Sequence, residues 1–168
     1  MITLCCSHKF RQRLGLSARL PAPPESSTRL GNWYVRLVQF GHVQFVLATS
    51  ERSLLTVILP AARLRETIEQ ELQAAVGRLL WALGNPAGAV NRELAAVRPA
   101  MFAAAANRRV IGSMNEFAFL LGVELNEIRD PLALSLRLSD TPMSAVGSKS
   151  HYGIPREVAR ELLMSRGN

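Results

Sequence analysis

The sequence predicts one α+β domain, in which a mixed or antiparallel sheet of about four to six strands packs against three or four helices. Three observations support this fold class. The 168 residues are 48% hydrophobic and 20% charged, which is enough apolar material for one core. Two aromatic and β-branched runs flank a two-residue turn, and a long segment further along the chain repeats its leucines with a helical period.

The first elements are predicted from local signals. Residues 1–6 are apolar and β-prone and predict a strand that enters the core. Ser7 can cap a short helix in which Phe10 and Leu14 lie one turn apart. Gly15 follows as the residue that ends this helix. Residues 19–31 are rich in Pro and Ser and predict a surface loop of the same domain.

A hairpin is the strongest strand signal. Residues 32–40 and 43–49 are separated by Gly41-His42, and a glycine in the first turn position suits type II′ geometry. Neither face of the first run is purely polar, so the hairpin strands are expected to be central and covered on both sides. Residues 54–59 predict a further strand.

The second half of the chain is predicted from periodicity. Residues 61–83 and 87–97 predict helices, and residues 99–105 an edge strand. Leucines alternate with other residues over 132–138, which predicts a strand. Pro155 is expected to begin a last amphipathic helix.

The segment of residues 107–117, NRRVIGSMNEF, is the most motif-like stretch. Ser113 and Glu116 have the spacing of a capping box, which predicts that a helix begins at Ser113. Arg108, Arg109 and Asn115 are left over by this explanation. Two guanidinium groups before a helix amino terminus would form an anion site. The alternative is that one arginine pairs with a carboxylate and the other is solvated.

Positive charge is concentrated near the amino terminus. The formal net charge is +7, and residues 1–36 carry six basic groups against one acidic group. Such a cluster can attract phosphates, although an ordinary solvated helix face would carry the same charges. The candidate residues for binding an anion or nucleic acid are Lys9, Arg11, Arg13, Arg29, Arg108, Arg109 and Asn115.

Several classes of protein lack support in the sequence. The sequence contains no signal peptide and no apolar run of membrane-spanning length. A cytoplasmic protein that is not associated with a membrane is therefore expected. The adjacent Cys5 and Cys6 are interpreted as a small buried hydrophobe beside a more exposed thiol. No metal-ligand spacing and no nucleotide-binding motif occurs, so no metal and no cofactor is expected. A catalytic site cannot be assigned.

Four segments together resemble an uncharacterised bacterial family, a domain of unknown function. They are MITLCCSHKF, TRLGNWYVRLV, SERSLLTVILPA and NRRVIGSMNEF. The family pattern has MITLRCTKKL-, RLGDWYANL- and NRSVLGSMNDF-like segments in the same order. The chain departs from this pattern at His8, Val35 and Arg109. The resemblance covers nearly the whole chain and implies no activity.

Three functions remain in competition after these observations. The leading hypothesis is a protein that binds nucleic acid or another anionic partner through its basic residues. An alternative is a protein–protein interaction or regulatory module that binds an acidic protein. The contact surface of this module would include an exposed Trp33 and Tyr34. A third is a metal-independent hydrolase or nuclease with a dispersed site and His8 or His151 as its base.

Overall fold

A five-stranded mixed sheet forms the centre of the computed structural model, which describes residues 1–147 and 151–165. In chain order the elements are β1 (Ile2–Cys6), α1 (His8–Leu14), β2 (Trp33–Phe40), β3 (Val43–Ser50), β4 (Thr56–Pro60), α2 (Leu64–Ala82), α3 (Ala87–Ala96), β5 (Pro99–Ala104), α4 (Arg108–Glu124), α5 (Pro131–Ser139) and α6 (Pro155–Met164), with a 3-10 turn at Ser144–Val146. The predicted α+β fold class is confirmed.

The strand order in the sheet is β4-β3-β2-β1-β5. The central strand β1 is parallel to both of its neighbours, pairing Cys6 with Val35 of β2 and with Ala104 of β5. The β2–β3 and β3–β4 pairs are antiparallel. Within the hairpin, Phe40 pairs with Val43, and Gly41 has φ 60° while His42 is not in the left-handed region. This is the geometry that a type II′ turn requires at its first position.

Helices cover both faces of the sheet. Leu4 and Trp33 point to one face, where they pack with α1, α2, α3 and α6. Cys5 and Tyr34 point to the other face, where they pack with α4 and α5. The expectation of one buried and one more exposed thiol is therefore wrong. Because both faces of β1 are covered, Cys5 and Cys6 are 0% and 5% exposed.

The start of α4 differs from the prediction. Asn107 is the cap, and its side-chain oxygen accepts from the amides of Arg109 and Val110. Ser113 lies inside the helix, and its hydroxyl donates to the Arg109 carbonyl at 2.9 Å. The capping box at Ser113 is therefore wrong. Val110 is fully buried, so the apolar stripe of the helix begins two turns earlier than Phe117 indicated.

Residues 131–139 form a helix instead of the predicted strand. Asp130 caps α5 by accepting from the amide of Ala133, and Pro131 occupies the first turn, where its missing donor costs nothing. Leu134 and Leu138 are both buried and lie one turn apart. Leucines at every second position include pairs at i and i+4, so the pattern fits both structures. With this helix, the described residues contain six α-helices, above the three or four expected.

The connection between α1 and β2, residues 16–32, contains no helix or strand. Its first half is largely exposed, but Thr28 and Leu30 are buried. The buried carboxylate of Glu93 on α3 accepts from the amides of Arg29 and Leu30, at 3.0 and 3.1 Å. Charge-assisted bonds of this kind hold the second half of the connection against α3. Of the helices in the described ranges, none is both long and apolar enough to cross a membrane.

The cap of α4 can be tested by substitution. Asn107→Ala is expected to lower the free energy of unfolding by about 1 kcal/mol, because two amides lose their acceptor, while Asn107→Asp retains the cap. Ser113→Ala is expected to change it by less than about 0.5 kcal/mol, since alanine favours the helix interior. Urea unfolding measures all three variants. A larger loss for Ser113→Ala than for Asn107→Ala would contradict the assigned start of the helix.

Candidate functional site

The candidate site lies where two adjacent parallel strands end. β1 and β5 finish side by side, with Cys6 paired to Ala104 and the Cys6 carbonyl accepting from the Ala105 amide. The chain then continues from β1 into α1 on one face of the sheet and from β5 into α4 on the other. In open sheets with parallel strands, such a divergence leaves a crevice at the carboxyl ends of the strands, where ligands commonly bind.

A cavity of about 300 Å³ occupies this crevice. Its lining residues are Cys5, Ser7, His8, Lys9, Tyr34, Val35, Arg36, Leu37, Ala105, Ile111 and Met114. Apolar side chains from β2 and α4 form much of the wall, and the polar groups come from the start of α1 and from β2. An apolar hollow with a few polar and basic groups has the composition of a binding site for a small group.

Arg36 is the charged group from β2 that lines this cavity. Its side chain is partly buried, and its Nη1 donates to Oδ1 of Asn115 on α4 at 2.6 Å. Among residues 1–147 and 151–165, no carboxylate forms an ion pair with it. Burial lowers the pKa of the Arg36 guanidinium, which nevertheless stays charged at neutral pH. The cavity therefore contains a cation that no carboxylate of the described residues neutralises.

His8 and Lys9 contribute the other polar groups that can meet a ligand. The Arg11 guanidinium donates to Nδ1 of His8 at 2.8 Å. Because arginine cannot accept a hydrogen bond, this Nδ1 is the acceptor and the neutral ring carries its proton on Nε2. His8 therefore offers a donor, and the exposed Lys9 adds a positive charge. All three groups favour an anion over a cation.

A hydrogen bond and a close contact link the groups at the floor of the cavity. The Tyr34 hydroxyl accepts from the Asn107 amide at 3.3 Å and lies beside the buried Cys5 thiol. Burial is the main cause that raises the pKa of each of these side chains to about 12. β1, β2 and the start of α4 are thereby joined at the atoms that line the cavity.

The two arginines of the NRRVIGSMNEF segment have different environments. Arg109 donates from Nη1 to the Ala145 carbonyl at 2.9 Å and from Nη2 to the Glu51 carbonyl at 2.8 Å. It thus connects three segments of the backbone. Arg108 is exposed in the first turn of α4. The predicted pair of guanidinium groups before a helix start is therefore wrong, because both residues belong to the helix and Arg109 is engaged elsewhere.

The remaining predicted residues divide between two ends of the sheet. Arg29 precedes β2, and its Nη1 donates to the Ser165 hydroxyl after α6 at 3.2 Å. This contact lies at the end of the strands opposite to the cavity. Arg13 lies exposed on α1, and Arg11 holds His8. Lys9 and Asn115 are the members of the predicted set that meet at the cavity, one on its lining and one through Arg36.

The proposed contact surface around Trp33 and Tyr34 is contradicted by their burial. Their side chains are 0% and 2% exposed, because β2 is covered by helices on both faces. Tyr34 instead lines the cavity from within. His151 is exposed. Across the part of the chain that the structure describes, no three His, Cys, Asp or Glu side chains are grouped closely enough to hold a metal ion.

Arg36 was not predicted as a site residue. The available signal was a charged residue in the middle of a strand whose neighbours on both sides are apolar, at a position expected to be covered. Such a residue must reach the sheet edge or line a cavity, since burial of an unpaired charge is costly.

The two buried thiols give a pH-dependent prediction. Native Cys5 and Cys6 should not react with a disulfide reagent at neutral pH, because their pKa values are raised from 9.0 to about 12. Unfolded thiols lose their protons first as the pH rises. The stabilisation is therefore complete below pH 9.0 and is lost as the pH approaches about 12.

Urea unfolding at increasing pH measures this loss. In the Cys5→Ala/Cys6→Ala variant the free energy of unfolding should decline less steeply with pH. Part of the decline should remain, because the pKa of Tyr34 is also raised. Rapid labelling of the native thiols at neutral pH would contradict the prediction.

Comparison with known proteins places the chain in one family. Neither curated protein sequences nor solved structures show a significant match. A family model described as "Domain of unknown function (DUF6933)" matches residues 3–158, which include β2 to β5, β1 except for its first residue, and every residue that lines the cavity. The family resemblance expected from the four sequence segments is therefore confirmed at the level of an uncharacterised domain. The chain belongs to the DUF6933 family of domains of unknown function.

Proposed function

We propose that the chain binds an anionic partner, single-stranded nucleic acid, at the cavity where β1 and β5 end. One observation carries the proposal: the partly buried Arg36 guanidinium lines the cavity and has no ion pair within the described ranges. A charge that is partly removed from water and has no counter-ion is unfavourable. An incoming phosphate would supply both the opposite charge and bidentate acceptors.

Neighbouring cations extend the positive region beyond Arg36. Lys9 lines the same cavity, and Arg108 begins α4 next to the point where β1 and β5 end together. The formal net charge of +7 adds a general attraction for polyanions. Two or three phosphates of one strand would therefore meet positive charge at this edge of the sheet.

The walls of the cavity favour a nucleic acid over an acidic peptide. Leu37, Ile111 and Met114 present apolar surface beside the cations. A nucleobase has apolar faces that can use such walls, whereas an Asp or Glu side chain could use only the positive charges. Bases of a duplex are stacked inside the helix, while those of a single strand can be splayed out. A single strand is therefore the form that fits a concave site.

Binding can be measured by fluorescence anisotropy with a labelled oligouridylate. The logarithm of the association constant should fall linearly with the logarithm of salt concentration, by roughly 0.7 for each phosphate neutralised. A duplex of the same length should bind more weakly. Absence of salt-dependent binding by the wild-type chain would overturn the proposal, and equal affinity for a polyglutamate peptide would assign the site to an acidic protein instead.

Arg36→Met tests the residue that carries the proposal. Methionine keeps most of the side-chain volume and removes the partly buried charge, so stability should be retained. Affinity for the oligouridylate should fall roughly tenfold to a hundredfold, the effect of losing a charged hydrogen bond. The salt dependence should also become shallower.

Arg78→Met is the matched control for Arg36→Met. Arg78 is exposed on α2, in a depression beside Ile58 of β4, so the same charge is removed three strands away from β1. The affinity of the Arg78→Met variant for the oligouridylate should remain close to that of the wild type. Equal losses for the two variants would show that net charge alone drives binding and that the cavity has no part in it.

A further inference from the structure

The outer face of α4 carries exposed apolar side chains that the anion site does not use. Phe119 is 74% exposed and Val123 is 52% exposed. Four residues apart on a helix, the two side chains lie on the same side. Phe119 is the most exposed of the large hydrophobic side chains in the described part of the chain. A large ring held out in water at the middle of a helix has no role in the core of its own domain.

A groove lies beyond the next turn of the same helix. Phe40, Val43, Phe45, Leu125 and Arg129 line a hollow of about 400 Å³ between the hairpin and the end of α4. The hairpin approaches α4 at Gly122, where a β-carbon would lie 2.8 Å from Cε1 of Phe40. The absence of a side chain there lets the Phe40 ring lie against the helix. Apolar surface therefore continues from the helix face to the groove.

The face has both a protruding ring and a groove that could receive one. Leu125 is six positions after Phe119, which is about 9 Å along a helix axis. If two copies met with their α4 helices antiparallel about a twofold axis, each Phe119 would face the groove of the other copy. Such an interface is isologous, because the same patch is used twice.

The charges at the two ends of this face are complementary under the same axis. Glu116 is one turn before Phe119 and is exposed, and Arg129 lines the groove and is exposed. Within residues 1–147 and 151–165 neither has an ion pair. A Phe119 seated in the groove would bring its neighbouring Glu116 to the Arg129 that borders that groove. Apolar and charged contacts thus specify one arrangement.

We propose that this face joins two copies of the chain. Each copy inserts Phe119 into the groove of the other, and Glu116 of each copy pairs with Arg129 of the partner subunit. This inference does not depend on the proposed anion site, because it involves neither the cavity nor its residues.

Sedimentation velocity over a wide range of protein concentration tests the pairing. The wild-type chain should form a dimer as concentration rises, and Phe119→Lys should remain a monomer, because a positive charge would enter the apolar groove beside Arg129. Trp81→Lys is the matched control: Trp81 is 48% exposed on α2, outside this face, and its substitution should leave the dimer intact. A wild-type monomer at every concentration, or a dimer that survives Phe119→Lys, would overturn the proposal.

Charge reversal tests the arrangement itself. Glu116→Arg and Arg129→Glu should each weaken the dimer by about tenfold, since each places like charges together. The double variant should recover most of the wild-type affinity, because the pair is restored with its signs exchanged. Failure of the double variant to recover would exclude this twofold arrangement. Circular dichroism of each variant confirms that the fold is retained.

Discussion

Burial of β1 is the constraint on which the other elements depend. All five of its residues are buried, and it pairs in parallel with β2 on one side and β5 on the other. Parallel strands cannot be joined by a tight turn, so the chain must cross over a face of the sheet each time it returns. Helices therefore cover both faces, and apolar residues are required on both sides of the strand. The burial of the adjacent Cys5 and Cys6 follows directly from this arrangement.

The same constraint determines where polar groups can act. A strand buried on both faces has no room for unpaired polar side chains along its length, so they collect beyond its ends. At one end, Glu93 accepts from the amides of Arg29 and Leu30 and fixes the connection that leads into β2. At the other end, Arg36 and Lys9 line a cavity whose positive charge is not neutralised within the described residues. The first group of contacts is satisfied internally, and the second is open to a ligand.

The sequence predicted elements whose signals are local and unambiguous. The hairpin around Gly41 and the long helix α2 follow from turn chemistry and periodicity, and both occur as expected. The errors arose where one pattern fits two structures. Ser113 has the spacing of a cap, but Asn107 offers a better one, and buried Val110 extends the helix to meet it. Arg36 could not be assigned to a site from the sequence, because its place in the cavity depends on strand pairing. The pairing brings α1 and α4 together where β1 and β5 end.

The pairing of β1 with β5 has a consequence during synthesis. Ile2 pairs with Pro99, so 97 positions of chain separate the two partners. At a translation rate of about 5–20 residues per second, β5 follows β1 from the ribosome after roughly 5–20 s. Throughout that interval one edge of β1 has free amides and carbonyls, and the apolar side chains on its two faces lack their full cover. The strand that is fully buried in the finished fold is thus open to aggregation while the chain is being made.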